Sequence, residues 1–173
     1  MTQLKWTERK FDFGFRKEYL PFLIERLKAT TPRIKELVKN VSEVQLFEQV
    51  NKQWSIKEHI GHLIDLEELH EERIDQFAKG LTTLRAADMN NKKTYDANHN
   101  QKKITDLIKE FRKVRNKFIL RLANFDENKL EHKALHPRLQ KEINVVDLAY
   151  FVGEHDNHHL TLVSQLIKRA NER

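Results

Sequence analysis

Residues 153–160 read Gly-Glu-His-Asp-Asn-His-His-Leu, and two of the histidines, His155 and His159, stand four apart. On a helix that spacing puts both imidazoles on one face, one turn apart. Neutral imidazole is the commonest protein ligand for a transition metal. Two from one face supply half of a tetrahedral shell or a third of an octahedral one. The chain has 9 histidines in 173 residues, so such a pair carries little weight by itself. The elements that position it must decide.

The pair lies in a segment with helical periodicity from Val145 to about Lys168, which Asn144 can cap. Its apolar stripe reads Leu148, Val152, His155, His159, Leu162, Leu166, so both histidines point toward a core. His158 is about a hundred degrees round and should face elsewhere. Three further helices are predicted. The first runs from Phe15 to about Val38, with Leu20, Leu23, Ile24 and Leu27 on its face. Thr30-Thr31-Pro32 interrupts it, with Thr31 as N-cap and Pro32 at N1. The second starts at Ser55, where Ser55 and Glu58 form a capping-box signature, and ends near Lys79 with Gly80 just beyond. The third spans about Lys102 to Ala123. Residues 1–14 are a lead-in anchored by Trp6, Phe11 and Phe13. Segments 42–53, 81–100 and 126–143 read as connections, with His136-Pro137 barring helix.

With only 4 Gly and 3 Pro there are few turns, and no strand alternation is visible. One all-α domain over 1–173, a four-helix bundle with long connections, is the expected fold. The connections at 80–101 and 124–143 exceed what an up-down bundle needs and read as crossovers or functional loops. Cysteine is absent, so no disulfide, thiolate ligand or thiol nucleophile exists, and a metal must be held by His, Asp or Glu. No apolar run approaches ~18 residues, and the N-terminus lacks the apolar core of a signal peptide, which makes cytoplasm the expected location. The net charge is +6, but its cations are mixed with 26 acids along the chain. Solvated helix faces are the simpler reading, and nucleic acid is not the expected partner.

Two core-facing histidines in adjacent turns need partners for their ring nitrogens. A metal site, a buried polar network and exposed histidines all remain open on this pattern. A third metal ligand would come from another element: His62 is the leading candidate, two turns into the Ser55-capped helix, with His59 next and His70 further along. His132 and His136 form a weaker pair, because Pro137 disfavours helix there.

The segment Trp54-Ser55-Ile56-Lys57-Glu58-His59-Ile60-Gly61-His62-Leu63, together with Glu154-His155-Asp156-Asn157-His158-His159-Leu160, resembles the DinB-like (DinB/YfiT-like) superfamily of metal-dependent enzymes. The likeness covers about residues 20–170. Its first motif is a Trp-Ser opening followed by a metal histidine before a leucine, which falls on His62. Its second is His-Asp-x-x-His, which falls on His155, Asp156 and His159. Glu67, Arg73 and His136-Pro137 fit the same pattern.

The resemblance implies a four-helix bundle, a homodimer, and one divalent metal on His62, His155 and His159. Nickel or zinc is the occupant it favours, with iron or manganese as alternatives. Three neutral imidazoles leave coordination positions open, for activation of water in hydrolysis or of a low-molecular-weight thiol in S-transfer. The alternative is a non-catalytic metal- or ligand-binding stress or detoxification protein. Tyr95 and Arg73 are candidate substrate-binding residues. Asp65 could take the second ring proton of His62, Glu67 and Arg73 could pair beside the site, Asp156 reads as structural, and Trp54 as a core anchor.

Overall fold

The Ser-x-x-Glu signature forms as its sequence implies: the Ser55 Oγ accepts from the Glu58 N–H at 3.1 Å, and the Glu58 carboxylate accepts from the Ser55 N–H at 2.8 Å. Two otherwise orphaned helix donors are satisfied at once, and α4 (Ile56–Ala78) begins there. It ends at the expected glycine, since Gly80 has a φ of 70° that only a residue without Cβ adopts freely. The computed structural model describes residues 3–51 and 53–172; Met1 and Thr2 of the lead-in, Lys52 of the first connection, and Arg173 lie outside the described residues.

The other long helices are α6 (Ile104–Ala123) and α7 (Val145–Asn171). Asn144 caps α7, with its Oδ1 accepting from the Asp147 N–H at 2.8 Å and Asp147 returning Oδ2 to the Asn144 N–H at 3.1 Å. The first helix is broken, as expected, into α1 (Leu20–Lys28) and α2 (Thr30–Val38). The break falls at Ala29, and Thr31 is buried inside α2 rather than capping it. Two short helices lie in the connections: α3 (Glu43–Phe47), capped by Ser42, and α5 (Lys92–Asp96). A small antiparallel hairpin of β1 (Ala134–His136) and β2 (Lys141–Ile143) corrects the expectation of no strands, with Ala134 opposite Ile143 and His136 opposite Lys141. Three residues per strand are too few to show alternation, so periodicity could not reveal it.

α4 packs on α6, α6 on α1, α1 on α7, and α7 on α4. Consecutive long helices are therefore diagonal at the first and third connections, which must cross the bundle. The connection from α4 to α6 joins neighbours, so its length serves something else. It runs back along α4, fastened by Arg73 donating to the Arg85 carbonyl, Lys93 to Glu68, His99 against Asp65, and Ser55 to Asn100.

Two apolar clusters fill the bundle. One joins Leu20, Leu27, Phe77, Phe118 and Val152, and the other joins Ile34, Ile60, Leu107, Phe111 and Leu160. Between them lies a polar layer with one residue from each helix: Thr30, Glu67, Arg115 and Asp156, all buried. The Arg115 Nε and Nη2 donate to Glu67 Oε1 at 2.8 and 2.6 Å. Its Nη1 and Nη2 donate to both Asp156 oxygens, and the Thr30 Oγ1 donates to Asp156 Oδ2 at 2.7 Å.

The N-terminal segment lies along α7 in the reverse direction. The Gly14 and Phe15 N–H groups donate to Asp147 Oδ1, Arg9 pairs with Glu154, and Gln3 donates to the His158 carbonyl. Replacing Asp147 by Ala removes an acceptor shared by three backbone N–H groups. It should lower unfolding stability by about 1–3 kcal/mol, the usual loss when buried donors are orphaned. Urea denaturation measures this, with the surface change Glu142→Ala as a near-neutral control.

Candidate metal centre

His62 from α4 and His155 and His159 from α7 converge in the waist of the bundle, where each offers one ring nitrogen and those nitrogens all lie within 4.8 Å of one another. All three are buried. The ring centroids of His62 lie 5.3 Å from His155 and 4.9 Å from His159. His155 and His159 face each other through their Nε2 atoms at 3.1 Å.

The donor set fits a divalent transition ion. Burial, the largest influence, pushes His62 down to about 4 and holds His155 and His159 well below 6.5, so all three are neutral with lone pairs available at ordinary pH. A tetrahedral ion with nitrogen ligands at ~2.05 Å needs them ~3.3 Å apart, close to the observed Nε2 separation. The opposite nitrogens of His62 and His159 are occupied, as metal-binding imidazoles require. His62 Nδ1 lies 3.0 Å from Thr94 Oγ1, and His159 Nδ1 lies 2.9 Å from His59 Nδ1. No carboxylate joins the set, so an ion there keeps its full charge.

A cavity of about 230 Å³ adjoins the three rings. Trp6, Trp54, Leu66, Leu69, Phe151 and His158 form part of its wall. Trp6 is the roof: its ring centroid stands 4.9 Å from His155 and 5.0 Å from Phe151.

Residues 26–163 match the family model of the DinB superfamily. The chain belongs to that superfamily. Among solved structures it is similar to "YfiT from Bacillus subtilis", described as "a probable metal-dependent hydrolase with an unusual four-helix bundle topology", at TM-score 0.77 and 18% identity, over 95% of this chain and 94% of that one. It is also similar to a mycothiol-dependent maleylpyruvate isomerase, at TM-score 0.65 and 10% identity, over 82% of this chain and 59% of that one. A third likeness is to the colibactin self-resistance protein ClbS in complex with a dsDNA, at TM-score 0.67 and 15% identity, over 86% and 95%. No curated protein matches the chain significantly. Identities this low show the DinB fold and leave the chemistry to the residues.

Those residues correct several expectations. Glu67 pairs with Arg115, not Arg73, because six residues along a helix turn a side chain about 120° away. Asp65 serves His99 at 2.8 Å, and Thr94 from α5 takes the second nitrogen of His62 instead. His59, the second candidate for the third ligand, is buried with its Nδ1 against the Nδ1 of His159. His158 does point off the ligand face, but Trp6 folds over it, so it lines the cavity. Trp54 packs on His62 at 4.7 Å between centroids and is a wall of the site rather than a plain core anchor. Asp156 is wholly buried and bonded to Arg115 and Thr30.

Of the two candidate substrate residues, Arg73 lines the cavity beside the histidines. Tyr95 is largely exposed, 5.9 Å from Trp54 between centroids, and lines a neighbouring cavity with His59 and His158. Three participants were missed. Thr94 and His99 carried no signal, since only the folded connection brings them to α4. Arg115 did carry one, as a cation on the apolar stripe between Phe111 and Phe118.

Gly61 is the hidden requirement of this arrangement: a Cβ there would fall 2.2 Å from the His99 ring. Gly61→Ala must push out His99 and with it the connection carrying Thr94. A stability loss of about 1–3 kcal/mol by urea denaturation is expected from such overpacking, together with weaker metal retention on dialysis against chelator.

The buried imidazoles also set a pH dependence. Burial, with Arg73 and Arg138 adding to it, pushes His136 down to about 3, and burial holds His70 well below 6.5. The ligand histidines behave alike when no metal holds them. The unfolded chain takes up these protons near pH 6.5 and the folded chain only far lower, so stability falls as pH drops from about 6.5 to 4. Glu67 opposes this, because burial outweighs Arg115 and raises it from 4.5 to about 7, so the folded chain binds that proton first. One carboxyl against several imidazoles leaves a net loss. In chelator, the urea midpoint should be lower at pH 5 than at pH 7.5; an equal or higher one contradicts the account.

Proposed function

We propose that this protein is a metal-dependent enzyme acting on a small molecule, as a hydrolase or a low-molecular-weight-thiol S-transferase, with one divalent transition metal on His62, His155 and His159. The observation that carries the reading is the convergence of three buried neutral imidazoles on the wall of a cavity. When bound, the metal would supply a Lewis acid that lowers the pKa of a coordinated water or thiol. Likeness to the DinB superfamily favours nickel or zinc, with iron or manganese as alternatives.

The chain's own residues do the rest. Thr94 and His59 fix the orientation of His62 and His159. Trp6, Leu66, Leu69 and Phe151 give the cavity an apolar wall. The acid in the lining is Asp88, and both its oxygens accept backbone N–H groups, from Asn90 and Lys92. The other titratable groups of the lining near the ligands are therefore imidazoles, His70, His136 and His158, rather than a free carboxylate. The fold shared with YfiT supports hydrolysis, and that shared with the mycothiol-dependent isomerase supports a thiol cosubstrate. The adjoining cavity favours chemistry over storage, and it favours a small molecule over nucleic acid. A homodimer and a cytoplasmic location belong to the same proposal; no helix among the described residues is long and apolar enough to cross a membrane.

Elemental analysis of the purified protein should find about one divalent metal per chain, lost in His155→Ala with helicity unchanged by circular dichroism. Equal metal in both proteins overturns the site. Hydrolase and thiol-transferase substrates should then be turned over by metal-loaded wild type and not by His155→Ala. A fully loaded protein inert toward every member of both classes would overturn the enzymatic half.

A further inference from the structure

The cavity beside the three histidines has an excess of donors that the metal does not explain. Arg73 is 2% exposed and lines it, with Nε and Nη2 donating to the Arg85 carbonyl at 3.1 and 2.9 Å. Arg138, from the turn between β1 and β2, lines it too, and its Nη2 is buried with no partner. Neither guanidinium has a carboxylate partner among the described residues, whereas the buried Arg115 has two. Two cations facing one another in a partly desolvated space are costly unless an anion joins them.

His136 adds a third donor. It is 2% exposed, and its Nδ1 accepts from the Leu139 N–H at 3.3 Å. The proton of the neutral ring therefore sits on Nε2, and that atom is buried without an acceptor. An unmet His136 N–H and an unmet Arg138 N–H, in a lining that also holds an Arg73 guanidinium without a carboxylate partner, ask for acceptor oxygens carrying negative charge. The exposed Asp88 across the cavity cannot serve, because its carboxylate is tied to the backbone of its own turn.

Aromatic rings join this corner to the metal ligands. The Arg138 Cζ stands 5.6 Å from the Trp6 ring centroid and 5.7 Å from that of Phe151, and Trp6 in turn packs on His155. At about 230 Å³ the space is smaller than the ~300 Å³ lower bound of drug-sized pockets.

We propose that Arg73, Arg138 and the His136 Nε2–H form an anion subsite that holds the carboxylate or phosphate oxygens of a small organic substrate, with the rest of that substrate directed past Trp6 and Phe151 to the three histidines. The inference rests on the proposed function for what happens at the histidine end; the anion clamp itself needs no metal. It gives Arg73 a defined task, and it adds Arg138 and His136.

Three probes test it: succinate, inorganic phosphate and the neutral succinamide, titrated into metal-loaded wild type by calorimetry and by the ¹⁵N shift of His136 Nε2. One or both anions should bind and shift that resonance, and succinamide should not; the anion that binds distinguishes carboxylate from phosphate. Arg138→Gln should weaken the anion by about tenfold or more, as expected for loss of a charge-assisted fork, with metal content unchanged. Arg138→Lys, which keeps the charge and loses the fork, should fall between. His155→Ala, depleted of metal, should still bind the anion. Four results overturn the proposal: no anion binding to wild type, succinamide binding as well as succinate, Arg138→Gln and Arg138→Lys both binding like wild type, or binding lost with the metal in His155→Ala. The last would make the metal itself the anion receptor. Absence of metal with anion binding intact would instead fail the metal reading alone.

Discussion

Arg115 holds the bundle's waist together. It is one buried guanidinium facing two buried carboxylates, Glu67 and Asp156, with Thr30 completing the layer, so every long helix contributes one group at the same level. A buried ion network of this kind adds little net stability over an apolar layer, but any partner left alone there is costly. Its effect is on register. Sliding α7 by a turn would separate Asp156 from Arg115 and Thr30 together, and the same slide would carry His155 and His159 away from His62. The break between α1 and α2 belongs to this layer, since it delivers Thr30 to Asp156.

Around that fixed layer the candidate metal site is assembled from pieces with separate anchors. α7 supplies two imidazoles by spacing alone. α4 supplies the third, and the chain after it folds back along the same helix to supply Thr94. The close seating of His99 on Gly61 lets that connection lie flat enough to do so. On the other side, the N-terminal segment is tied to α7 by Asp147 at one end and Glu154 further along, which places Trp6 over His155. The cavity is thus flanked by two strips of irregular chain, each held by hydrogen bonds to a long helix.

This division of labour gives the site two chemically distinct ends. The histidine end has lone pairs and no acid. The end formed by the hairpin and α4 has guanidinium and imidazole N–H donors and, among the described residues, no carboxylate paired with them. The substrate proposed for the site carries an anionic group on one side and its reacting group on the other. The hydrophobic rings between them set its orientation.

Local patterns determined the helices. The Ser55–Glu58 box, the Asn144 cap, the glycine at 80 and the apolar stripes are short-range interactions, fully encoded within a few residues, and they located α4, α6 and α7 to within a turn. The same logic put His155 and His159 on the core side and made His62 the leading third ligand. What the sequence could not decide were contacts between distant segments whose partners have no fixed spacing. Helix order round the bundle depends on which faces bury best together, and it placed the helices joined by the first and third connections on diagonals. Arg115 took Glu67 from Arg73, Thr94 took His62 from Asp65, and the N-terminal segment made His158 part of the cavity, because each of those choices depends on distances that exist only after the chain has folded.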